Sequence, residues 1–414
     1  MRYLSPLLLL LLCTCVRAQK VVSPASQGFD AARLARVDTF LRELVDDGVI
    51  PNAQTLIMRR GQLVHRSSYG FADLEQKIPA RPDDIYRIAS QTKALVTTCL
   101  MMEYERGKFL LEDPVSKYLP AYADMRVMVS PAKDGRPMVT EPAKSQITIR
   151  QLLSHSAGIP YGYDGETDAM RVPYFASLEA DKLADVSRRI AKRPLLHHPG
   201  EGFTYGLGID VAGRLLEVLS GESLKDYLTK HLWRPLGMTD SYFYLPPGKH
   251  DRLVTLYSRL TTDAPLTVHT NETYRDFALR GARTYYSGGA GSVGTIDDYA
   301  RFCQMLLQGG TYNGRRYLSP KTIDLMLTNQ IGDAEVWDRK DKFGLGFQLI
   351  TEGSRYGDQA RAGAFTWGGL YCSEYTIDPA EELVMLVYTN VQPIPRYGEV
   401  LRKFRILVYS ALVE

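Results

Sequence analysis

In Ile88-Ala89-Ser90-Gln91-Thr92-Lys93-Ala94-Leu95-Val96 a hydroxyl and an amine stand three residues apart at the start of a helical pattern. Three residues is close to one helical turn, so Ser90 and Lys93 share a face. A serine hydroxyl becomes a competent nucleophile only when a neighbour takes its proton. An amine does so only when uncharged, a state that burial favours. An N-cap serine followed by a surface lysine has the same spacing. So does Ser130-Pro131-Ala132-Lys133, which runs into the turn signal Asp134-Gly135. The surroundings therefore decide what Ser90 and Lys93 are.

Pro82 breaks the chain ahead of this stretch, and beyond it Leu95, Val96, Cys99, Leu100 and Met102 recur at helical spacing as far as Gly107, a C-cap. A helix carrying the serine on its first turn aims free N–H groups at any negative charge that develops there. Upstream, a helical pattern over 31–47 precedes Thr55-Leu56-Ile57-Met58 and Leu63-Val64-His65-Arg66, two apolar runs around Gly61 that predict an antiparallel hairpin. Downstream, helices are expected at 149–153, 182–190, 210–219 and 224–232, separated by long polar loops. Strand signals return near Thr284 and dominate from Gly344. They include Phe347-Gln348-Leu349-Ile350, Ser373-Glu374-Tyr375-Thr376-Ile377 and Leu383-Val384-Met385-Leu386-Val387-Tyr388, the last two joined by Asp378-Pro379, before a closing helix over 396–412. Strands at both ends with helices between predict an α+β fold, one antiparallel sheet built from both chain ends and flanked by helices. The α/β part is expected over about 25–90 and 284–414, with an inserted, mainly helical part over about 91–283, all in one domain from 19 to 414.

The 414 residues are 45% hydrophobic and 23% charged, which excludes disordered and fibrous classes. Met1-Arg2-Tyr3, an apolar run at 7–12 and Val16-Arg17-Ala18 match a secretory signal peptide over 1–18, cleaved after Ala18. The mature chain is then expected to be secreted or periplasmic. Thr14 before Cys15 disfavours lipid anchoring there, and no later run of about 20 apolar residues predicts a transmembrane anchor. Losing Arg2 and Arg17 takes the net charge from +3 to +1, which argues against nucleic acid as a partner. Cys99, Cys303 and Cys372 remain, too few and too far apart for a disulfide framework or a metal knuckle.

Two further places carry chemistry. Phe203-Thr204-Tyr205-Gly206-Leu207-Gly208 sets Tyr205 on a Gly-flanked loop before a helix, and Phe365-Thr366-Trp367-Gly368-Gly369-Leu370 sets a glycine pair on a strand, where a ligand can approach the backbone. Together with Ser90-x-x-Lys93, Leu111-Glu112-Asp113-Pro114-Val115, Ile149-Arg150-Gln151-Leu152-Leu153-Ser154-His155-Ser156-Ala157-Gly158, Pro235-Leu236-Gly237-Met238 and Gly288-Gly289-Ala290-Gly291, they make the chain resemble the serine β-lactamase and penicillin-binding-protein superfamily over residues 30–410. The resemblance is to the class C β-lactamase-like branch that includes family VIII carboxylesterases, and it implies the β-lactamase/transpeptidase-like fold.

The resemblance implies that Ser90 is the nucleophile, Lys93 its base or proton relay, and Tyr205 the group that serves the leaving group and later water. It also implies an oxyanion hole from the backbone N–H groups of Ser90 and Leu370, substrate contacts from Leu207, Trp367, Gly368 and Gly369, and neither cofactor nor metal. Two departures bear on substrate. Leu207 stands where β-lactamases of the family carry Asn, and Trp367 where they carry Lys. Both changes remove donors that a β-lactam or a peptide would use, so hydrolysis of an uncharged ester is expected. β-Lactamase or D-amino-acid peptidase activity is the alternative within the same chemistry, and a non-catalytic binding homologue the alternative outside it.

Other signals carry less. Gly289-Ala290-Gly291-Ser292-Val293-Gly294 fits a dinucleotide pattern but lacks a βαβ unit, and it precedes a helix with Thr295 and Asp298 as a capping box. The chain has no Gly-x-Ser-x-Gly elbow and no His-x-x-x-His pair. His155 is read as ordering a loop rather than completing a triad.

Overall fold

In a computed structural model, which describes residues 20–167, 171–173, 181–355 and 359–413, the hairpin expected at Gly61 forms from β1 (Asn52–Arg59) and β2 (Gln62–Asp73). The expected leader lies outside the described residues. Leu56 pairs with Leu386 and Met58 with Val384, so β1 lies directly against a strand more than 300 residues away. With β3 (Ile78–Pro79), β4 (Lys342–Phe343), β5 (Gln348–Leu349), β6 (Phe365–Gly369), β7 (Ser373–Asp378) and β8 (Leu383–Tyr388), the sheet runs β4-β5-β6-β7-β8-β1-β2-β3, antiparallel throughout. Both chain ends build it, as their strand patterns predict.

Alternation along the strands divides the core. Ile57, Met385 and Val387 face one side with α1 (Ala31–Asp46) and the closing helix (Tyr397–Ser410), while Leu56, Val384 and Leu386 face the other, toward the helical region. On that second side lies α2 (Thr92–Glu105), in which every residue from Thr92 to Glu103 is buried. Such a helix is held from all sides, so its first turn cannot drift. Against it packs α5 (Gly208–Ser220), on which α3 (Ile149–Leu153) and α4 (Leu183–Ile190) pack in turn, with α6 (Ile296–Leu307) lying across β8 and β1; the closing helix is α7.

Two expectations need correction. The segment from Thr284 to Ser292 is loop rather than strand, and only Val293–Gly294 pairs, with Tyr86–Arg87. Its glycines allow close backbone approach instead: a Cβ on Gly288 would stand 2.6 Å from the Ile209 carbonyl oxygen. The Thr295 hydroxyl does accept from the Asp298 N–H, but the capping box is half made. The Asp298 carboxylate turns instead to the Asp240 N–H at 2.7 Å and the Ser241 hydroxyl at 3.0 Å. Cys99, Cys303 and Cys372 are free and buried. No helix among the described residues is long and apolar enough to cross a membrane.

Candidate active site

Ser90 sits in a 3-10 turn, Ala89–Gln91, that feeds directly into α2. Ala89 is left-handed at φ +43°, a strained position for a residue with a side chain, and it turns the chain sharply at the nucleophile. The strand β6 closes the other side. A Cβ on Gly369 would stand 2.6 Å from the Ile88 carbonyl oxygen, so only glycine lets β6 come this near the serine. Leu370 follows on the rim, 38% exposed.

Lys93 is 1% exposed. Its Nζ donates to the Gly289 carbonyl at 2.8 Å and to the Tyr161 hydroxyl at 2.7 Å, and lies 3.4 Å from Ser90 Oγ and 4.6 Å above the Tyr205 ring. Tyr161 hydrogen-bonds in turn with Tyr205 and Ser90, and burial holds its phenol well above the ordinary tyrosine range, so it remains a proton donor. Ser90, Lys93, Tyr161 and Tyr205 are thus one connected cluster. The Trp367 indole N–H donates to the Tyr205 hydroxyl oxygen at 3.1 Å. An indole nitrogen can only donate, which fixes that oxygen as acceptor at this bond.

Behind the lysine lies Asp210, wholly buried, taking hydrogen bonds from the Ser287 hydroxyl at 2.6 Å and the Gly289 N–H at 3.2 Å. Burial raises its carboxyl above the usual range, against the pull of Lys93. One residue, Gly289, therefore links carboxylate to amine through its N–H and its carbonyl, and this is what the Gly-x-Gly-x-x-Gly segment does here. His155 backs Tyr205, with ring centroids 4.8 Å apart, and neither of its ring nitrogens has a hydrogen-bond partner among the described residues. Burial, and then the charge of Lys93, hold it well below the ordinary imidazole range, so it stays neutral. Its main-chain carbonyl accepts the Thr204 N–H at 2.8 Å, one residue ahead of Tyr205.

These groups open on a cavity of about 680 Å³ lined by Ser90, Tyr161, Tyr205, Trp337, Trp367 and Leu370 among others. Gly368 and Gly369 line it as well, whereas Leu207 does not: it is fully buried at the N-terminus of α5 and packs in the core. The position where β-lactamases of the family carry Asn thus presents no side chain to the cavity.

Residues 37–410 match the family described as Beta-lactamase. The chain belongs to the β-lactamase family. It is 30% identical to Protein Rv1367c of Mycobacterium tuberculosis over 84% of its own length and 87% of the relative's. It is 27% identical to Esterase EstB of Burkholderia gladioli, over 94% and 98%. Among solved structures it resembles EstCE1, described as a hydrolase with promiscuous acyltransferase activity, at a TM-score of 0.77 and 28% identity, covering 91% of this chain and 99% of that one. Membership makes this β-lactamase-family protein a serine hydrolase with the β-lactamase/transpeptidase-like fold.

Sequence reasoning missed three of the residues gathered here. Tyr161 follows the Ser154-His155-Ser156-Ala157-Gly158 block but is one of 26 tyrosines, with no spacing to single it out. Asp210 reads as the first turn of a helix, and Trp337 lies in a polar stretch without periodicity.

Proposed function

We propose that this protein hydrolyses carboxylic esters through an acyl-enzyme on Ser90. Lys93, as the free amine, takes the Ser90 proton directly or through Tyr161 as Oγ attacks the carbonyl carbon. The N–H groups of Ser90 and Leu370 receive the oxyanion, and displacing one such donor costs about 3 kcal/mol. Tyr205 delivers a proton to the departing alkoxide, which leaves as the alcohol. Water then attacks the acyl group by the same route in reverse and releases the acid.

The observation that carries the preference for esters is the Trp367 indole N–H on the Tyr205 oxygen. A neutral aromatic donor occupies the wall beside the leaving group, and the neighbouring cavity surface is the aromatic ring of Trp337. An uncharged ester loses little on entering such a cavity, whereas the carboxylate of a β-lactam would meet a neutral indole at the position where β-lactamases of the family carry Lys. The esterase among the full-length relatives points the same way.

Two measurements test this. A fluorophosphonate should add one adduct to the Ser90 peptide by intact and peptide mass, and none to Ser90→Ala; the absence of labelling would favour a non-catalytic homologue. Turnover of p-nitrophenyl acetate should exceed that of nitrocefin, and the reverse order would make the protein a β-lactamase. We also propose export with residues 1–18 as the leader, for which N-terminal sequencing of secreted or periplasmic material should read Gln19 first.

A further inference from the structure

We infer that the segment 336–340 selects the alcohol half of the ester and favours flat, aromatic alcohols; the inference rests on the ester-hydrolase reading above. Three non-glycine residues within four positions are left-handed here, Trp337 at φ +50°, Asp338 at φ +58° and Lys340 at φ +62°. Side chains disfavour that conformation, and clusters of it persist where other contacts over-determine them. The contacts are present. The Val336 N–H donates to the Asp341 carbonyl at 3.0 Å, the Arg355 N–H to the Arg339 carbonyl at 2.8 Å, and the Lys340 N–H to the Glu335 carboxylate at 3.0 Å, while the Val336 side chain is wholly buried.

What this backbone delivers is one indole. Trp337 stacks on Trp367 at 5.4 Å and 26°, and meets Tyr205 edge-on at 5.7 Å and 82°. The Arg339 guanidinium lies 5.0 Å from its ring centroid and steadies it. Yet Trp337 remains 48% exposed on the cavity wall. A strained backbone that holds a large aromatic side chain half in water gains nothing for folding alone, but it presents a rigid apolar surface to a ligand.

The direction of the ester follows from the reacting atoms. The carbonyl oxygen lies toward Leu370 and the leaving oxygen toward Tyr205, so the alcohol extends past Tyr205 to Trp337. The acyl chain takes the rest of the cavity, whose lining includes Tyr274, Ile394 and Tyr397.

Benzyl acetate and ethyl acetate test this, because their alcohols have similar acidity, with ethyl hexanoate as the acyl-side control. The ratio of kcat/KM for benzyl over ethyl acetate should fall about tenfold in Trp337→Ala and stay within about twofold of wild type in Trp337→Phe, which keeps a ring. The hexanoate-to-acetate ratio should not move. An unchanged benzyl preference, or an equal fall in both ratios, overturns the inference. A binding arm separates this outcome from failure of the hydrolase reading. In Ser90→Ala, saturation-transfer NMR should show benzyl acetate bound through its ring protons, with the signal lost on adding Trp337→Ala. If wild type turns over neither acetate, the ester-hydrolase reading falls and this arm decides alone. Ring saturation that survives the Trp337 change, or is absent from Ser90→Ala, overturns the role of Trp337.

Discussion

Ser130 ends a β-strand, Arg126–Ser130, and Lys133 stands exposed in the turn that follows, where its N–H and carbonyl pair with Arg136 around a left-handed Asp134 and Gly135. Ser90 and Lys93 have the same spacing, but Ser90 lies in a 3-10 turn and Lys93 on the first turn of the helix it feeds, buried on every side, with an aspartate, two tyrosines and a histidine packed around the amine. In the hairpin, water solvates the lysine and no neighbour constrains its distance from the serine. In the helix, the Gly289 carbonyl, the Tyr161 hydroxyl and the Tyr205 ring hold the amine against the hydroxyl. Spacing supplies the chance of contact; burial and the partners supply the chemistry.

Substitution can break this contrast at four points. Lys93→Ala should lower kcat for an ester by about 10³-fold or more, by steady-state kinetics, because it removes the proton acceptor and the centre of the cluster. Next in size, Tyr161→Phe should cost roughly 10- to 100-fold in kcat, since the phenol ring stays and only its bridging hydroxyl goes. Wild-type rates in that variant would show that Lys93 and Ser90 need no intermediary.

Acid titration offers a third test. His155 is held below its unfolded value, so the folded protein binds fewer protons than the unfolded chain as pH falls through about 6.5. Its contribution to stability is fully present above that pH and is lost below it. His155→Phe keeps a ring behind Tyr205 and should flatten the fall in urea-unfolding stability between about pH 6.5 and 5. An unchanged slope would mean that the imidazole titrates in the fold as it does in the unfolded chain. The smallest effect belongs to the hairpin: Lys133→Ala should alter kcat by less than about twofold and stability by less than about 0.5 kcal/mol in denaturant melts. A larger loss of activity would give the Ser130 hairpin a role in the site.

The sheet from both ends, the hairpin at Gly61 and the helix after Ser90 were legible because each rests on local periodicity or turn chemistry. The loop over 284–292 departs from the strand expected there because Gly288 admits the Ile209 backbone and Gly289 the Asp210 carboxylate, contacts that no local pattern encodes. At the site, Ser90, Lys93, Tyr205, Trp367 and the two glycines of β6 were found through motif order, and the cavity gathers all of them except Lys93, which lies beneath it. Leu207 fills a family position, yet the turn into α5 carries it to the core. Tyr161, Asp210 and Trp337 could not be read, since each acts through a long-range contact that no spacing encodes.

The pairing of β1 with β8 has a consequence for timing. Gly369, which closes the wall beside Ser90, and Leu386, which pairs with Leu56, leave the ribosome long after the residues they meet, since more than 250 residues separate each from its partner. Contacts so distant in sequence form late, after the intervening loop has closed. A nascent or truncated chain therefore carries its serine and lysine without the strand that completes the cavity. Reactivity is thereby withheld until β6 has been made and has docked, and a fragment cut short before β6 has a nucleophile but no wall to hold an ester against it.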